Sequence, residues 1–435
     1  MAGETSTAAL RGEHAGELAA DLAAEQAAAA AVAAAGRAAL AAAGRLRQMP
    51  ADGLDEALRA IAARLRERSA EVITANADDV RAARAEGLAA AFVDRLTLDQ
   101  RRVDAMADQL RTLAEVAAEP ARTRVRDLQD GLELQEWRRP VGVVGANFEA
   151  RPNVVVDIAS QLIKSRNAGV LRTGSSAIGS AAAVIDEVVG PAMAGAGLDQ
   201  AAIQLLRAPG RETAFALVRQ PTLIPLVILR GSGESTRALA REAALHGVRT
   251  LAHADGGAVI YIDESADRAL ALRLIESSLD RLGVCNRLNL LLVQQEIWDA
   301  MVPLVAQLAG RIGIAVSLPP HRHALGLEWA LQPGSEATIT IAPAADGQDA
   351  AAIANRETSG LAAAVVAADA AAAGRFLDAY AGTGAFWNAS PRLLDGFKLL
   401  SVPETGINID NVPGPRGPVT FRDLYLRQYA VVPST

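Results

Sequence analysis

The chain contains 435 residues, 51% of them hydrophobic, and carries a net charge of −7. This length suffices for two or three domains with apolar cores, whereas the acidic balance and an aromatic content of 3% exclude a nucleic-acid surface. Lys and Arg are dispersed, so no basic patch indicates a lipid partner, and we expect a soluble cytoplasmic protein without a membrane partner.

The N-terminal region is rich in alanine and predicts helices. Residues 1–16 are polar, lack the apolar core of a signal peptide and are expected to be flexible. The alanine-rich run 26–35 is too short to cross a bilayer. Helical periodicity extends from 17 to about 116, and the alternating segment 125–137, which contains Asp130-Gly131, predicts a β-hairpin.

Strands and helices then alternate along the chain. The first five predicted strands are 141–145, 168–171, 203–206, 226–229 and 259–262. This order predicts a parallel sheet, which binds ligands beyond the carboxyl ends of its strands. The alternation begins again after Asp263 and predicts a second α/β domain, with strands at 288–293, 339–342, 362–367 and 385–387. A rigid linker is expected at 413–418 and a further strand at 420–432.

Cys285 is the only cysteine, which excludes an internal disulfide and a multi-thiolate zinc site. It lies between a predicted helix at 267–281 and the apolar run 288–293, so it is either a buried structural thiol or a nucleophile. Taken alone, the structural interpretation is favoured, because free cysteines are often small buried hydrophobic residues.

Two strand-to-helix connections have features of a phosphate site. Gly231 and Gly233 open a predicted helix, where small residues and the helix N-terminus favour a phosphate. Arg172, Gly174 and Ser175 follow the second strand, where a cation could meet a ribose phosphate. Neither signal is specific alone: the three-glycine dinucleotide fingerprint is absent, and a tight loop or a surface arginine explains each about equally well.

Other polar segments are open to two interpretations. Residues 147–153 place an acid, a base and two amides in one connection, which indicates either a binding loop or a capped helix start. The segments 388–390 and 404–407 are typical of turns. His321 and His323 indicate an exposed loop, and no metal is expected, because no acid or cysteine completes a ligand set.

Taken in order, these motifs resemble one family. Phe-Glu-Ala-Arg-Pro-Asn at 148–153, Gly-Val-Cys-Asn at 283–286, Asn-Ala-Ser at 388–390 and Arg-Gly-Pro at 416–418 follow the order of the glutamate-5-semialdehyde dehydrogenases. These enzymes, also called gamma-glutamyl phosphate reductases, form part of the aldehyde dehydrogenase superfamily. The resemblance covers about residues 40–432.

The resemblance implies an aldehyde dehydrogenase-like α/β fold, with a Rossmann-type cofactor domain, a second α/β catalytic domain and a β extension for oligomerisation. A homodimer or homotetramer is expected. The implied boundaries are 17–124 and 139–262 with 388–412 for the NADP-binding domain, 263–387 for the catalytic domain, and 125–138 and 413–435 for the extension.

The implied reaction is NADPH-dependent reduction of a small acyl phosphate, L-glutamyl 5-phosphate, to L-glutamate 5-semialdehyde and phosphate in proline biosynthesis. Cys285 is then the nucleophile that forms a thioester, and Asn286 is a catalytic neighbour, with nearby backbone N–H groups holding the oxyanion. Asn147 is a further candidate oxyanion donor. The expected substrate-binding residues are Glu149, Arg151, Asn153, Asn388 and Ser390. The expected cofactor-binding residues are Lys164, Arg172, Gly174, Ser175, Gly231 and Gly233.

Five positions depart from the family pattern: Arg166 and Thr173 replace glycines, Ser176 replaces a glutamate, Arg287 replaces Ala or Thr, and Asn289 replaces a glutamate. The loss of an acid near Arg172 favours a 2′-phosphate, so NADP(H) is expected rather than NAD.

Two alternatives stay open. A divergent member could reduce a related acyl phosphate or oxidise another aldehyde. Hydrolytic members need a general base, and the segment 251–257 contains no glutamate, although His253 or Asp255 could substitute. The other alternative is a non-catalytic scaffold or regulatory binding protein, against which the pair Cys285-Asn286 argues.

Overall fold

A computed structural model describes residues 4–231, 233–253, 256–411 and 414–434. The strands are β1 Arg122–Asp127, β2 Leu132–Pro140, β3 Val143–Phe148, β4 Ala168–Thr173, β5 Ile203–Leu205, β6 Leu226–Arg230, β7 Arg249–His253, β8 Ala258–Ile262, β9 Leu288–Gln294, β10 Ala315–Ser317, β11 Thr338–Ala344, β12 Ala362–Val366, β13 Gly384–Trp387, β14 Gly406–Asn408, β15 Gly417–Val419 and β16 Tyr425–Pro433.

The α-helices are α1 Glu4–Gln48, α2 Ala51–Glu67, α3 Ser69–Ala85, α4 Ala90–Leu96, α5 Gln100–Glu115, α6 Asn153–Lys164, α7 Ile178–Ala183, α8 Gly190–Gly195, α9 Arg211–Leu217, α10 Gly233–Leu245, α11 Arg268–Ser277, α12 Trp298–Arg311, α13 Gly347–Glu357, α14 Ala370–Ala379 and α15 Gly396–Leu400. A π-helical segment, Val184–Val189, joins α7 to α8. Helix α1 begins at Glu4, so the segment from residue 4 to residue 16, which was predicted to be flexible, is helical.

The described chain forms two compact units. The first contains residues 4–80, 98–251 and 421–434, and the second contains 81–97 and 252–420. The predicted domain boundary after 262 therefore lies about ten residues too late, and 388–412 belongs to the second unit rather than to the first. Hydrophobic periodicity identifies a strand, but it does not tell which of two sheets the strand joins.

The first unit contains a five-stranded sheet in the order β5-β4-β3-β6-β7. Strands β3 to β6 pair in parallel, as predicted, and their buried residues form its core. The strand order reverses between β3 and β6, so the loops after these two strands flank a topological switch point, where ligands bind in open α/β sheets.

The same unit contains the predicted hairpin. β1 and β2 pair antiparallel, and β16 adds to the other side of β2. Asp130 and Gly131 both have positive φ, 60° and 68°, which is the backbone geometry that an Asp-Gly hairpin turn requires. Every residue of β1 is exposed, so this three-stranded sheet has little core of its own.

The second unit contains a six-stranded sheet in the order β10-β11-β9-β8-β12-β13, and all of its pairs are parallel. Apolar residues of α11 and α12 cover one face, and those of α13 and α14 cover the other. Tyr261 and Phe376 stack in the second layer at 5.6 Å. The predicted strand 259–262, now β8, lies at the centre of this sheet.

Two helical stretches, Ala19–Gln48 and Ser175–Gly195, are long and apolar enough to span a membrane. The first includes the run 26–35, which on its own is too short. Parts of both stretches are buried in the protein, and core helices pass the same test, so length and composition are weak indicators here.

Candidate functional site

An open cleft of about 520 Å³ lies at the carboxyl edge of the five-stranded sheet, at the switch point. Its lining residues come from the ends of β3 and β4 and from α9 and α10: Glu149, Arg172, Arg211, Ala214, Phe215, Glu234, Ser235, Ala238, Leu239 and Arg241. The cleft therefore combines apolar side chains with three arginines and two glutamates. We call it the α9–α10 cleft.

Arg172 is the buried cation of this cleft. Its Nη1 donates to Asn147 Oδ1 at 3.0 Å, and its Nη2 donates to the carbonyls of Pro209 and of Gly210, the latter at 3.0 Å. Its Nε is buried and makes no hydrogen bond within the described residues. Burial lowers the pKa of the Arg172 guanidinium, an effect that the Glu149 and Glu212 carboxylates oppose. A guanidinium stays protonated even so, and an anionic ligand would complete its partners.

Asn147 is occupied by Arg172. Its side chain is buried within β3, opposite Arg172 in the strand register, and its Oδ1 accepts from that guanidinium. The amide oxygen of Asn147 therefore helps to hold Arg172, and a role of its Nδ2 as an oxyanion donor stays a prediction.

Glu149 lines the α9–α10 cleft, although the sequence indicates a substrate role. A methyl group on Gly231 would stand 3.1 Å from the Glu149 carboxyl carbon, so the two residues are neighbours. Gly233 is the buried first residue of α10, and Ser232 between them lies outside the described residues. Gly174 and Ser175 follow β4 directly, with Ser175 exposed.

Lys164 is a structural residue. It is the last residue of α6, and its ammonium is buried, donating to Asp55 Oδ1 at 2.5 Å and to the Val116 carbonyl at 2.6 Å. Because α6 runs antiparallel to the strands, its end lies at the amino edge of the sheet, away from the cleft. This position corrects the prediction that Lys164 binds the cofactor.

Arg151 and Asn153 lie at the start of α6, as the helix-start interpretation expects, but the N-cap residue is Pro152 and no side chain caps the helix. The Arg151 carbonyl accepts from the Val154 N–H at 3.0 Å, and Asn153 Nδ2 donates to Asp157 Oδ2 at 2.9 Å. Both side chains are half-buried at the carboxyl end of β3. A role in substrate binding stays a prediction.

Cys285 lies in the second unit, in the loop between α11 and β9. It is half-buried and packs against a small apolar cluster formed by Ala258, Leu361, Ala362, Leu394 and Ile407. Its carbonyl accepts from the Gly257 N–H at 2.7 Å. The thiol loop thus lies at the amino edge of the six-stranded sheet, where β8, β9 and β12 begin, and the thiol is not sealed in the core.

The Asn286 side chain is bound within the protein, and the oxyanion role expected of the backbone N–H groups near Cys285 and Asn286 stays a prediction. Its Nδ2 donates to the carbonyls of Leu394 and Arg392, at 3.0 and 3.3 Å, and its Oδ1 accepts from Arg392 Nη1. Both amide hydrogens are therefore used within the protein. The side chain holds the thiol loop, and only the Asn286 backbone N–H is a candidate for contact with a reacting atom.

Asn388 does not lie near Cys285. It follows the carboxyl end of β13, and its side chain pairs with the Ala367 backbone through Oδ1 at 3.1 Å and Nδ2 at 2.9 Å. Since Cys285 precedes β9, the two residues lie at opposite edges of one sheet. Ser390 is half-buried, and its hydroxyl lies 2.7 Å from that of Ser278.

The segment 251–257 contains Gly256, which the thiol loop requires. A methyl group there would stand 2.8 Å from the Cys285 carbonyl oxygen and 2.7 Å from Glu328 Oε1. Of the candidate bases in this segment, Asp255 lies outside the described residues and His253 ends β7. In the described part of the chain, no cluster of three or more His, Cys, Asp or Glu residues could hold a metal.

The aldehyde dehydrogenase family model matches residues 12–319, more than half of the chain. The chain belongs to the aldehyde dehydrogenase family. Membership brings a nicotinamide cofactor and a small-molecule substrate, and it confirms the predicted α/β fold class. The α9–α10 cleft and the Cys285 loop are the two parts of this aldehyde dehydrogenase that contain most of the residues singled out in the sequence.

Relatives of this aldehyde dehydrogenase confirm the resemblance seen in the sequence. It is 33% identical to the gamma-glutamyl phosphate reductase of Thermobifida fusca, over 90% of this chain and 94% of that protein. It is 34% identical to that of Clavibacter michiganensis, over 87% and 88%. The crystal structure of gamma-glutamyl phosphate reductase from Thermotoga maritima superimposes with a TM-score of 0.82 at 25% identity, covering 92% of this chain and 98% of that one.

Several residues of the two sites are missing from the sequence-based prediction. Arg211 and Phe215 belong to a short helix that carries no phosphate motif, and Arg241 lies at the far end of α10. In the sequence, Arg392 only follows the Asn-Ala-Ser segment closely, and Asp280 only lies near the end of a predicted helix. Neither position indicates a functional role. For Arg211, the sequence offered one indication of a binding role: it directly follows Gly210 in the connection after a predicted strand.

Proposed function

We propose that this protein reduces L-glutamyl 5-phosphate to L-glutamate 5-semialdehyde and phosphate, with NADPH as the reductant, in proline biosynthesis in the cytoplasm. The observation that carries the proposal is the placement of the only cysteine. Cys285 lies half-buried on a loop fixed to the sheet edge, in a chain that matches gamma-glutamyl phosphate reductases along about nine-tenths of its length.

In this proposal Cys285 is the nucleophile. The thiolate attacks the acyl carbon, the bond to the phosphate oxygen breaks, and phosphate leaves with its electron pair, giving a thioester. Backbone N–H groups near Cys285 and Asn286 are proposed to hold the oxyanion that forms. When bound, the nicotinamide cofactor supplies a hydride to the acyl carbon. The C–S bond then breaks, and Cys285 returns to its thiolate form as the aldehyde departs.

The α9–α10 cleft fits the adenosine part of NADP(H). Phe215 and Ala238 offer an apolar surface for a base, and Arg172, whose buried Nε has no hydrogen-bond partner among the described residues, offers charge for a phosphate. Arg211 and Arg241 are exposed at the same cleft and are proposed to favour the 2′-phosphate of NADP over the hydroxyl of NAD. Gly174, Ser175, Gly231 and Gly233 border the phosphate path in this proposal.

Substrate contacts are proposed at Arg151, Asn153 and Ser390. Arg151 is the cation for the phosphate or carboxylate of the substrate. The neighbouring hydroxyl of Ser278 orients Ser390. These roles belong to the proposal as a whole and depend on the reaction assigned to Cys285.

The reaction can be tested in reverse. Glutamate semialdehyde, NADP and phosphate are expected to yield NADPH, with a strong preference for NADP over NAD. Omission of phosphate is expected to abolish steady turnover, and coenzyme A is not expected to replace it. A higher rate with a homologous semialdehyde would show a different acyl phosphate as the substrate, and steady turnover without phosphate would contradict the proposal.

A further inference from the structure

The Asn286 amide is part of a polar network that lies entirely in the second unit. Asn286 receives a hydrogen bond from Arg392 and donates two to the backbone of the 392–394 segment. Both the nitrogen and the oxygen of the Asn286 side-chain amide are therefore hydrogen-bonded, directly beside Cys285.

Arg392 is itself oriented by a carboxylate. Its Nε lies 2.8 Å from Asp280 Oδ1 and its Nη2 lies 3.4 Å from Asp280 Oδ2, so the fork of the guanidinium faces the carboxylate. The Arg392 side chain is only 13% exposed, whereas that of Asp280 is 52% exposed. Asp280 follows α11, and the network thus ties the end of α11, the thiol loop and the 392–394 segment together.

We propose that Arg392, held by Asp280, is a positioning residue that fixes the Asn286 side chain and thereby the backbone that carries the Cys285 thiol. This inference rests on the proposed role of Cys285 as the nucleophile. Arg392 acts through Asn286 and not on the substrate, because its Nε and Nη1 are already used within the protein. A nucleophile displaced by about 1 Å loses on the order of 100-fold in rate.

The network can be tested by substitution. Arg392→Gln is expected to lower kcat by about 10- to 100-fold while the KM values for NADP and for the semialdehyde stay within about twofold. Arg392→Lys keeps the charge but loses the fork, so it is expected to recover only part of kcat. Asp280→Asn is expected to cause a smaller loss of kcat, and the Asp280→Asn/Arg392→Gln double variant is expected to be no slower than Arg392→Gln, because Asp280 acts through Arg392.

The control is the neighbouring ion pair between Arg281 and Asp94. Arg281 Nη2 lies 2.7 Å from Asp94 Oδ2, and the two side chains are 44% and 41% exposed. Neither residue contacts Asn286 in the described hydrogen-bond network. Arg281→Gln is therefore expected to leave kcat within about twofold of the parent. A kcat for Arg392→Gln equal to that of this control, or losses that add in the double variant, would overturn the inference.

A second measurement does not depend on the substrate. Hydrogen–deuterium exchange of a peptide covering 283–287 is expected to be faster in Arg392→Gln and unchanged in Arg281→Gln. Unchanged exchange in Arg392→Gln overturns the positioning role, even if the protein proves to reduce a different compound. If the protein proves not to be this reductase but exchange is faster in Arg392→Gln, the positioning role of Arg392 stands and only the proposed function is refuted. Should Arg392→Gln fail to fold, Asp280→Asn provides the same comparison at a half-exposed site.

Discussion

Lys164 shows how burial decides the role of a single charge. Its side chain is 1% exposed and that of its partner Asp55 is 18% exposed, so each charge depends on the other for solvation. Removal of one partner from such a pair leaves a buried, uncompensated charge, which typically costs several kcal/mol. The ion pair therefore belongs to the structure of the α2–α6 region and not to cofactor binding.

We expect Lys164→Met to lower the free energy of unfolding by about 3 kcal/mol, because Asp55 then lacks a partner. The Kd for NADPH is expected to change less than twofold. Urea unfolding and a fluorescence titration measure the two quantities. The Lys164→Met/Asp55→Asn variant should regain part of the stability. A variant of parental stability that binds NADPH weakly would refute this assignment.

Gly256 shows what a sequence pattern cannot contain. The chain has 36 glycines, and nothing in the local letters separates Gly256 from the others. In the fold, the Cys285 backbone and the Glu328 carboxylate lie so close to Gly256 that a methyl group added there would stand less than 3 Å from both. The motif around Cys285 was predictable because its residues are adjacent in the sequence. Gly256 and Arg392 are distant from Cys285 in the sequence and contact the thiol loop only in the folded protein.

At the scale of elements, Glu119 ties the three-stranded sheet to the chain around it. It lies between α5 and β1 and forms ion pairs with Arg138 of β2 and with Arg422, which precedes β16. Burial raises the pKa of the Glu119 carboxyl, but the two guanidinium groups outweigh it and hold the pKa below its usual value. The folded state therefore gains stability from ionised Glu119.

The sign of the pH dependence follows. Because the folded pKa lies below the unfolded one, this stabilisation is complete above the unfolded pKa and is lost as pH falls through the folded pKa. Glu119→Gln is expected to cost about 1 kcal/mol at pH 7, a modest figure since both arginines are partly exposed, and progressively less as the pH falls through the folded pKa of Glu119. Urea unfolding of both proteins at a series of pH values from neutral to acidic measures the difference. A difference that grows on acidification would be inconsistent with these ion pairs.

Most strands were predictable, and those that were missed or misassigned have separate causes. Buried parallel strands form apolar runs, so β4, β5, β6, β9, β11, β12 and β13 were predicted close to their observed positions. Strands β7, β10, β14 and β15 were not predicted, because none of them forms an apolar run of the kind that a buried strand gives. β8 was found as a strand but assigned to the wrong sheet, since pairing partners are chosen in three dimensions.

At the scale of the whole molecule, the described residues leave two apolar surfaces uncovered. One is the β1–β2–β16 sheet of the first unit, with Val125, Leu426, Tyr429 and Val431 at least half exposed. The other belongs to the second unit, near the edge strand β13, and includes Trp387, Leu393, Phe397, Leu399 and Leu400. Exposed apolar patches beside open sheet edges favour association, and we propose that a second copy of the chain covers them.

Tyr429→Asp/Val431→Asp is expected to dissociate the homo-oligomer, because both side chains lie on the same face of β16 and are 57% and 56% exposed. Sedimentation velocity measures the mass of each species. Arg111→Gln, an exposed change on α5 outside this sheet, is the control and should leave the mass unchanged. A parent protein that sediments as a monomer would exclude this surface as an interface.

A rapid-mixing experiment can show whether the Cys285 sulfur carries the acyl group. Glutamate semialdehyde and NADP, mixed with the enzyme in the absence of phosphate, should produce a burst of about one NADPH per chain. Turnover should begin only when phosphate is added, because phosphate discharges the thioester. Cys285→Ala should bind NADPH normally and give no burst. A burst of equal size from Cys285→Ala would contradict the account.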